Sequence, residues 1–219
     1  MAKVLVTGHL SGIGKYIYNA CIASGHTVEG VDILDSTPWN VSVPEDRDWL
    51  VEQYSNYDVL VNNAYELNVY ERTCGQNELL KLFLDAWAGT NKYIMSIGST
   101  AGLKTPQRDL RLKKYSLDKQ RHTKIIKAWK KTKPNGPNVC NFNMGFYVKP
   151  ADEARTHLLG DSITSDYITQ LDRADMSDFG DYVINILEDR ESIWVDEIYV
   201  DLPDQDENRA KFIKDFGIE

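Results

Sequence analysis

Short apolar runs rich in β-branched residues alternate along this chain with longer stretches in which apolar residues recur at helical spacing. Lys3 to Thr7, Thr27 to Asp32, Asp58 to Asn62, Tyr93 to Ile97, Val139 to Asn143 and Trp194 to Val200 read as strands. Between them, Gly14 to Ser24 (stopped by Gly25), Pro44 to Tyr54, Asn77 to Trp87, Arg111 to Lys131 and Ser177 to Glu188 read as helices. Parallel strands joined by crossover helices form a sheet buried between two helical layers. The expected fold is therefore α/β, a Rossmann-type doubly wound parallel sheet of six to seven strands with helices on both faces, the seventh strand being Trp39 to Val43.

At 219 residues the chain is shorter than the roughly 250 to 300 at which a single core stops growing, so one domain over residues 1–219 is expected. Lys133 to Asn138 reads as a turn between elements. The tail 204–219 begins charged and then carries Phe212, Ile213 and Phe216 at helical spacing, as a packed terminal helix would. No apolar run reaches the roughly 20 residues of a bilayer span, and the N-terminal strand lacks the pattern of a secretory leader. A cytoplasmic protein with no membrane partner is expected. Cys21, Cys74 and Cys140 are odd in number and far apart, which matches no zinc-ligand spacing; reduced, structural thiols and no metal are expected.

The net charge of −8 argues against a nucleic-acid partner, because the field of the whole molecule repels phosphate backbones. That charge is unevenly spread. Residues 104–133 hold twelve of the 25 lysines and arginines but, in Asp109 and Asp118, only two of the 33 acidic residues. On the predicted helix over Arg111 to Lys131, such a stretch makes a solvated basic face while Ile125, Ile126 and Trp129 face the core. A sharper alternative is that Lys113 and Lys114 steer an anionic substrate or an acidic carrier toward Tyr115.

Candidate chemistry begins at Thr7-Gly8-His9-Leu10-Ser11-Gly12-Ile13-Gly14, three glycines between a strand and a helix. Gly8 permits a tight turn, Gly12 lets backbone N–H groups approach a pyrophosphate, and Gly14 permits close packing, while the helix N-terminus offers donors and partial positive charge. Asp32, 18 residues beyond Gly14, ends the second strand, where a carboxylate accepts hydrogen bonds from ribose hydroxyls and repels a 2′-phosphate. No lysine or arginine stands at Leu10, Ser11, Ile33, Leu34 or Asp35, so NAD is expected in preference to NADP. Further along, Tyr115 and Lys119 lie four apart on one helix face. An ammonium about 5 Å from a phenol favours the phenolate by roughly 3 kcal/mol at a dielectric of about 20. That is about two pKa units toward the range useful in acid/base work.

In this order the motifs resemble those of the short-chain dehydrogenase/reductase family. Gly8 to Gly14 is similar to its TGxxxGxG turn, Asn62-Asn63-Ala64 to its NNAG element, Ile97 to Gly102 to its active-site serine segment, Tyr115 to Lys119 to its YxxxK pair, and Val195 to Asp201 to its final strand. The resemblance implies an NAD(P)-dependent oxidoreductase acting on a carbonyl/alcohol pair. It implies catalytic roles for Ser99, Tyr115, Lys119 and Asn77, the last with a helix N-cap as its alternative. It also implies cofactor contacts from Gly8, Ser11, Gly12, Ile13, Gly14, Asp32, Asn40, Asn62, Asn63, Ala64, Tyr115, Lys119 and Gly145. The polar residues 149–177 stand where the family builds its substrate loop, which implies a small polar substrate, with an anionic one as the alternative.

The chain departs from the pattern in several places. Tyr65 replaces the glycine of NNAG, Met144 the usual proline, and Lys149 a threonine that commonly meets the cofactor. Only twelve residues separate Ala64 from Asn77, so a family helix is expected to be truncated or absent there. Family homo-oligomers pack the helix of the YxxxK pair about a two-fold axis; here like charges would face each other, which counts against that assembly. These departures motivate an alternative, a catalytically quiet NAD-binding sensor or scaffold. A sugar-nucleotide epimerase is disfavoured by the glycine spacing and the short chain.

Overall fold

The computed structural model describes residues 1–66, 73–99, 102, 110–132, 135–144, 177–190 and 197–200. Its elements are β1 (Lys3–Thr7), α1 (Gly12–Ala23), β2 (Thr27–Val31), α2 (Pro44–Tyr54), β3 (Val59–Asn62), α3 (Gly75–Ala86), β4 (Tyr93–Ser99), α4 (Leu110–Thr132), β5 (Asn138–Met144), α5 (Ser177–Glu188) and β6 (Glu197–Val200). The strands form one sheet in the order β2-β1-β3-β4-β5-β6, and every neighbouring pair is parallel. Because β2 and β3 lie on opposite sides of β1, the strand order switches there, and a crevice opens beyond the C-terminal ends of β1 and β3.

Side chains alternate along each strand, so the register sorts them into two faces. Val4, Val6, Val59, Val61, Met95, Ile97, Cys140 and Phe142 form one face, buried against Ile17 and Cys21 of α1 and Phe179, Val183 and Leu187 of α5. On the other face Leu5, Leu60, Ile94 and Val139 stand in one row across four strands. They meet Leu50 of α2, Leu79, Leu80 and Phe83 of α3, and Ile126 and Trp129 of α4. One step toward the strand C-termini the same face turns polar, with Asn62, Ser96 and Asn141 side by side.

Six strands are present among the described residues, and Trp39 to Val43 is not a seventh. Trp39 and Val41 do alternate into the core, which imitates a strand. The Asn40 side chain instead accepts from Ser42 N at 2.8 Å and Val43 N bonds Asn40 O at 3.0 Å, so the segment turns into α2. Residues 63–66 and 73–74 are non-helical; the intervening 67–72, like 145–176 and 201–219, lie outside the described residues. No helix among the described residues is long and apolar enough to cross a membrane.

Candidate active site

The crevice is closed at its base by Thr7. Its hydroxyl donates to Val61 O at 3.2 Å and accepts from Asn63 N and Ala64 N at 2.9 Å, while Asn63 Nδ2 donates to Thr7 O at 2.9 Å and to Gly8 O at 3.2 Å. The glycine turn and the Asn62-Asn63-Ala64 segment are thereby one rigid unit. Gly8 and Gly12 have φ of 73° and 56°, the left-handed region that glycine enters without strain. A Cβ on Gly14 would lie 2.1 Å from Gly8 O, so only glycine lets α1 start this close to the turn. The first turn of α1 carries no acidic residue, and Ser11 at the N-cap makes no side-chain capping bond. Such an N-terminus, with its dipole unopposed, fits an anionic pyrophosphate.

Asp32 is buried just beyond β2. Its carboxylate oxygens accept from Leu10 N and Leu34 N at 3.1 Å each, which fixes it at the rim of the turn with lone pairs left for hydroxyl donors. The donor and acceptor set along this rim therefore fits a dinucleotide. Gly8, Ser11, Gly12, Ile13, Gly14, Asp32, Asn62, Asn63 and Ala64 all belong to the turn, the start of α1, the position after β2, or the end of β3 and the segment that follows it. Asn40 stands apart in the loop before α2, with its N–H on Asp46 Oδ2 at 2.8 Å and its side-chain oxygen on Ser42 N. Gly145 and Lys149 lie outside the described residues, as does the loop 149–177 up to residue 176.

Ser99 ends β4, and Tyr115 and Lys119 sit one turn apart on α4, so sheet and helix bring the three together. Ser99 is close enough to the Tyr115 phenol to favour its ionised form, and Lys119 Nζ lies 5.5 Å from the Tyr115 ring centre. Lys119 is 4% exposed, and burial pulls its ammonium down to about 8, against the smaller raising effects of Cys74 and Asp118. Burial also pushes the Tyr115 phenol up, with Ser99 opposing it. This corrects the expectation of a phenol lowered by its lysine. Desolvation dominates, and the Lys119 ammonium spends its hydrogen bonds on Gln76 Oε1 and Ile97 O at 2.8 Å each.

Tyr65 enters the same cluster. Its ring meets Tyr115 edge-on at 5.2 Å and lies 5.0 Å beneath Lys119 Nζ, and its hydroxyl donates to Asp118 Oδ2 at 3.2 Å. Asp118, 1% exposed, also pairs with Lys114. Of the two lysines proposed to steer a substrate, only Lys113 is exposed; Lys114 is half-buried in that pair. Lys124, Lys127 and Lys131 are solvated, and Ile126 and Trp129 are buried.

Asn77 is the third residue of α3, with Cys74 at the N-cap, so it is no cap itself. Its Nδ2 donates to Asp118 O at 3.0 Å, which turns its Oδ1 to His122 Nδ1 at 2.7 Å. His122 must then carry its proton on Nδ1, and Nε2 accepts the Ser96 hydroxyl at 2.8 Å, while Asn62 Nδ2 donates to Ser96 Oγ at 3.1 Å. Burial, aided by the charge of Lys119, holds His122 neutral, well below the ordinary imidazole range. Asn77 thus ties α3 to α4 through Asp118 and His122, and the side chain on Lys119 is that of Gln76. Gln76 was legible only indirectly, since it opens the apolar stripe Leu79, Leu80, Phe83, Leu84 and Trp87 of α3 at a position where an apolar residue belongs.

No protein-family model matches this sequence, and no curated protein matches it. Solved structures do match. A 3-alpha-hydroxysteroid dehydrogenase from Pseudomonas sp. B-0831, complexed with NADH, superposes with a TM-score of 0.69 over 96% of this chain and 99% of its own, at 18% identity. The chain has the short-chain dehydrogenase fold. A 3-ketoacyl-(acyl-carrier-protein) reductase from Brucella melitensis, complexed with NADH, matches at 20% identity and TM-score 0.65 over 91% of this chain and 96% of its own. A short chain dehydrogenase family protein from Francisella tularensis matches at 18% and 0.69 over 92% and 97%. With identities this low the short-chain dehydrogenase fold is what is shared, and the chemistry must be argued from the site.

Proposed function

We propose that this chain is an NAD-dependent oxidoreductase that moves a hydride between nicotinamide and a carbonyl/alcohol pair of a small polar substrate. The observation that carries this reading is the meeting of Ser99, Tyr115 and Lys119 beside the glycine crevice. Ser99 orients the substrate oxygen, Tyr115 exchanges a proton with it, and Lys119 holds positive charge next to the phenol. The bound nicotinamide supplies the hydride chemistry. Structural neighbours complexed with NADH or NADP+ support the cofactor class. Asp32 at the rim favours NAD, because a ribose 2′-phosphate would meet its carboxylate.

A second reading, an NAD-binding sensor without turnover, is favoured by Tyr65, whose ring covers Lys119. Calorimetric titration with NADH and NADPH, followed by a panel of polar ketones and aldehydes, separates the two. NADH is expected to bind more tightly than NADPH and to be consumed with at least one panel member. Tyr115→Phe should keep NADH binding and lose roughly 100-fold or more of turnover. Equal rates for the two proteins would defeat the mechanism, and binding of neither cofactor would defeat the function.

A further inference from the structure

Gln76 is fully buried in the first turn of α3, yet no cofactor or substrate role falls on it above. Its Nε2 is surrounded by carbonyl oxygens, of Asn62 at 2.9 Å, Ile97 at 3.1 Å and, more distantly, Asn63 at 3.4 Å. Its backbone carbonyl accepts from Asn62 Nδ2 at 3.2 Å, so Gln76 and Asn62 are bonded in both directions. The amide orientation is therefore determined by chemistry. Flipped, the side-chain oxygen would face three carbonyls and the NH2 group would face an ammonium. Oε1 must be the atom at Lys119 Nζ, 2.8 Å away.

Two of the three Lys119 donors are then committed, one to Gln76 and one to Ile97 O, which receives Gln76 Nε2 on its other lone pair. We infer that Gln76 is a positioning residue for Lys119, its amide locking the ammonium to β4 and to the Asn62-Asn63 segment that braces the glycine turn. As a role in catalysis this rests on the dehydrogenase reading; as a lock on the lysine it does not. A neutral amide oxygen stabilises the charged lysine without neutralising it, and so resists the burial that favours the uncharged amine. The other titratable groups around Lys119 are Tyr65, Cys74, Tyr115, Asp118 and His122. Asp118 is already paired with Lys114, and His122 is neutral.

The test reads Lys119 directly, by NMR of lysine Cε and Nζ nuclei in isotope-labelled protein without cofactor, with Lys119→Arg providing the assignment. In the wild-type protein the Nζ protons should exchange slowly with water and the midpoint should lie near 8. Gln76→Met, similar in length but without the amide, should lower that midpoint by about one pH unit, a tenfold loss of the charged form above it. Gln76→Glu should raise it. Ser96→Ala, which loosens the same polar layer beyond Asn62, should leave it in place. An unchanged midpoint in the Gln76 variants overturns the inference, and so does an equal shift in Ser96→Ala. If neither Gln76 variant folds, the wild-type protein decides: Nζ protons exchanging as fast as those of the exposed Lys124 overturn the lock. None of these readings needs NADH, so a failure of NADH to bind would sink the dehydrogenase proposal alone. With a substrate in hand, Gln76→Met should lower kcat and move its alkaline limb to lower pH with KM little changed.

Discussion

The same strands present opposite chemistry on their two faces. Toward α1 and α5 the interior rows are apolar, Val6, Val61, Met95 and Cys140 in one and Ile97 and Phe142 in the next. Toward α3 and α4 the row Leu5, Leu60, Ile94 and Val139 gives way at once to Asn62, Ser96 and Asn141. Buried polar groups cost free energy unless they are bonded. Here Asn62, Ser96, His122 and Asn77 bond one another in turn and Gln76 bonds Asn62, the network ending on the backbone of Asp118 and the ammonium of Lys119 and leaving Asn62 Oδ1 without a partner among the described residues. One face holds the sheet together; the polar half of the other holds Tyr115 and Lys119 in place.

The largest expected effect separates these tasks. Phe142 is fully buried in the apolar face and meets Phe179 edge-on at 6.2 Å. Phe142→Ala should cost about 3 to 5 kcal/mol in urea unfolding, as the transferred ring and the cavity it leaves both count. The Lys119 titration should not move. On the other face, His122→Leu leaves Asn77 Oδ1 and the Ser96 hydroxyl without their partner, at about 1 to 3 kcal/mol for such a loss. The double change Ser96→Ala with His122→Leu should cost less than the sum of the two, because the first removes a group that the second would orphan. Strict additivity would show that the polar layer is a set of independent contacts and would erase the distinction between the faces.

The apolar face was legible in the sequence, because an apolar run needs only period and length to be read. Pro44–Tyr54 and Ser177–Glu188 were expected with the boundaries observed, and most other elements to within two or three residues. Trp39 to Val43 misled for the same reason: alternating burial looks alike in a strand and in a turn whose bonds come from Asn40. The polar layer was harder to read. Ser99, Tyr115 and Lys119 could be placed through their motif spacing, whereas Gln76 and His122 occupy core positions of amphipathic helices with polar side chains, where periodicity counts them as exceptions. Their partners come from 13 to 45 residues away in sequence, and no local pattern carries that information.

The smallest expected effect tests whether the polar layer carries a strained charge at its end. Lys119 titrates near 8 in the folded protein and near its ordinary value of 10.5 when unfolded. Below 8 both states hold the proton, and the cost of the buried charge is constant. Between 8 and 10 the folded state has released it while the unfolded state has not, so the unfolded state binds more protons and stability rises with pH. Above 10 the trend is opposed, because Tyr115 and Tyr65 are pushed up by burial and the folded state then keeps protons that the unfolded state loses. Lys119→Met removes only the first contribution. Urea unfolding at pH 7, 8, 9 and 10 should therefore show wild-type stability climbing relative to Lys119→Met by about 2 kcal/mol across the window from 8 to 10. Parallel curves would mean that the lysine keeps its charge as easily inside as in water, and that the layer beneath α4 is no more demanding than the apolar face.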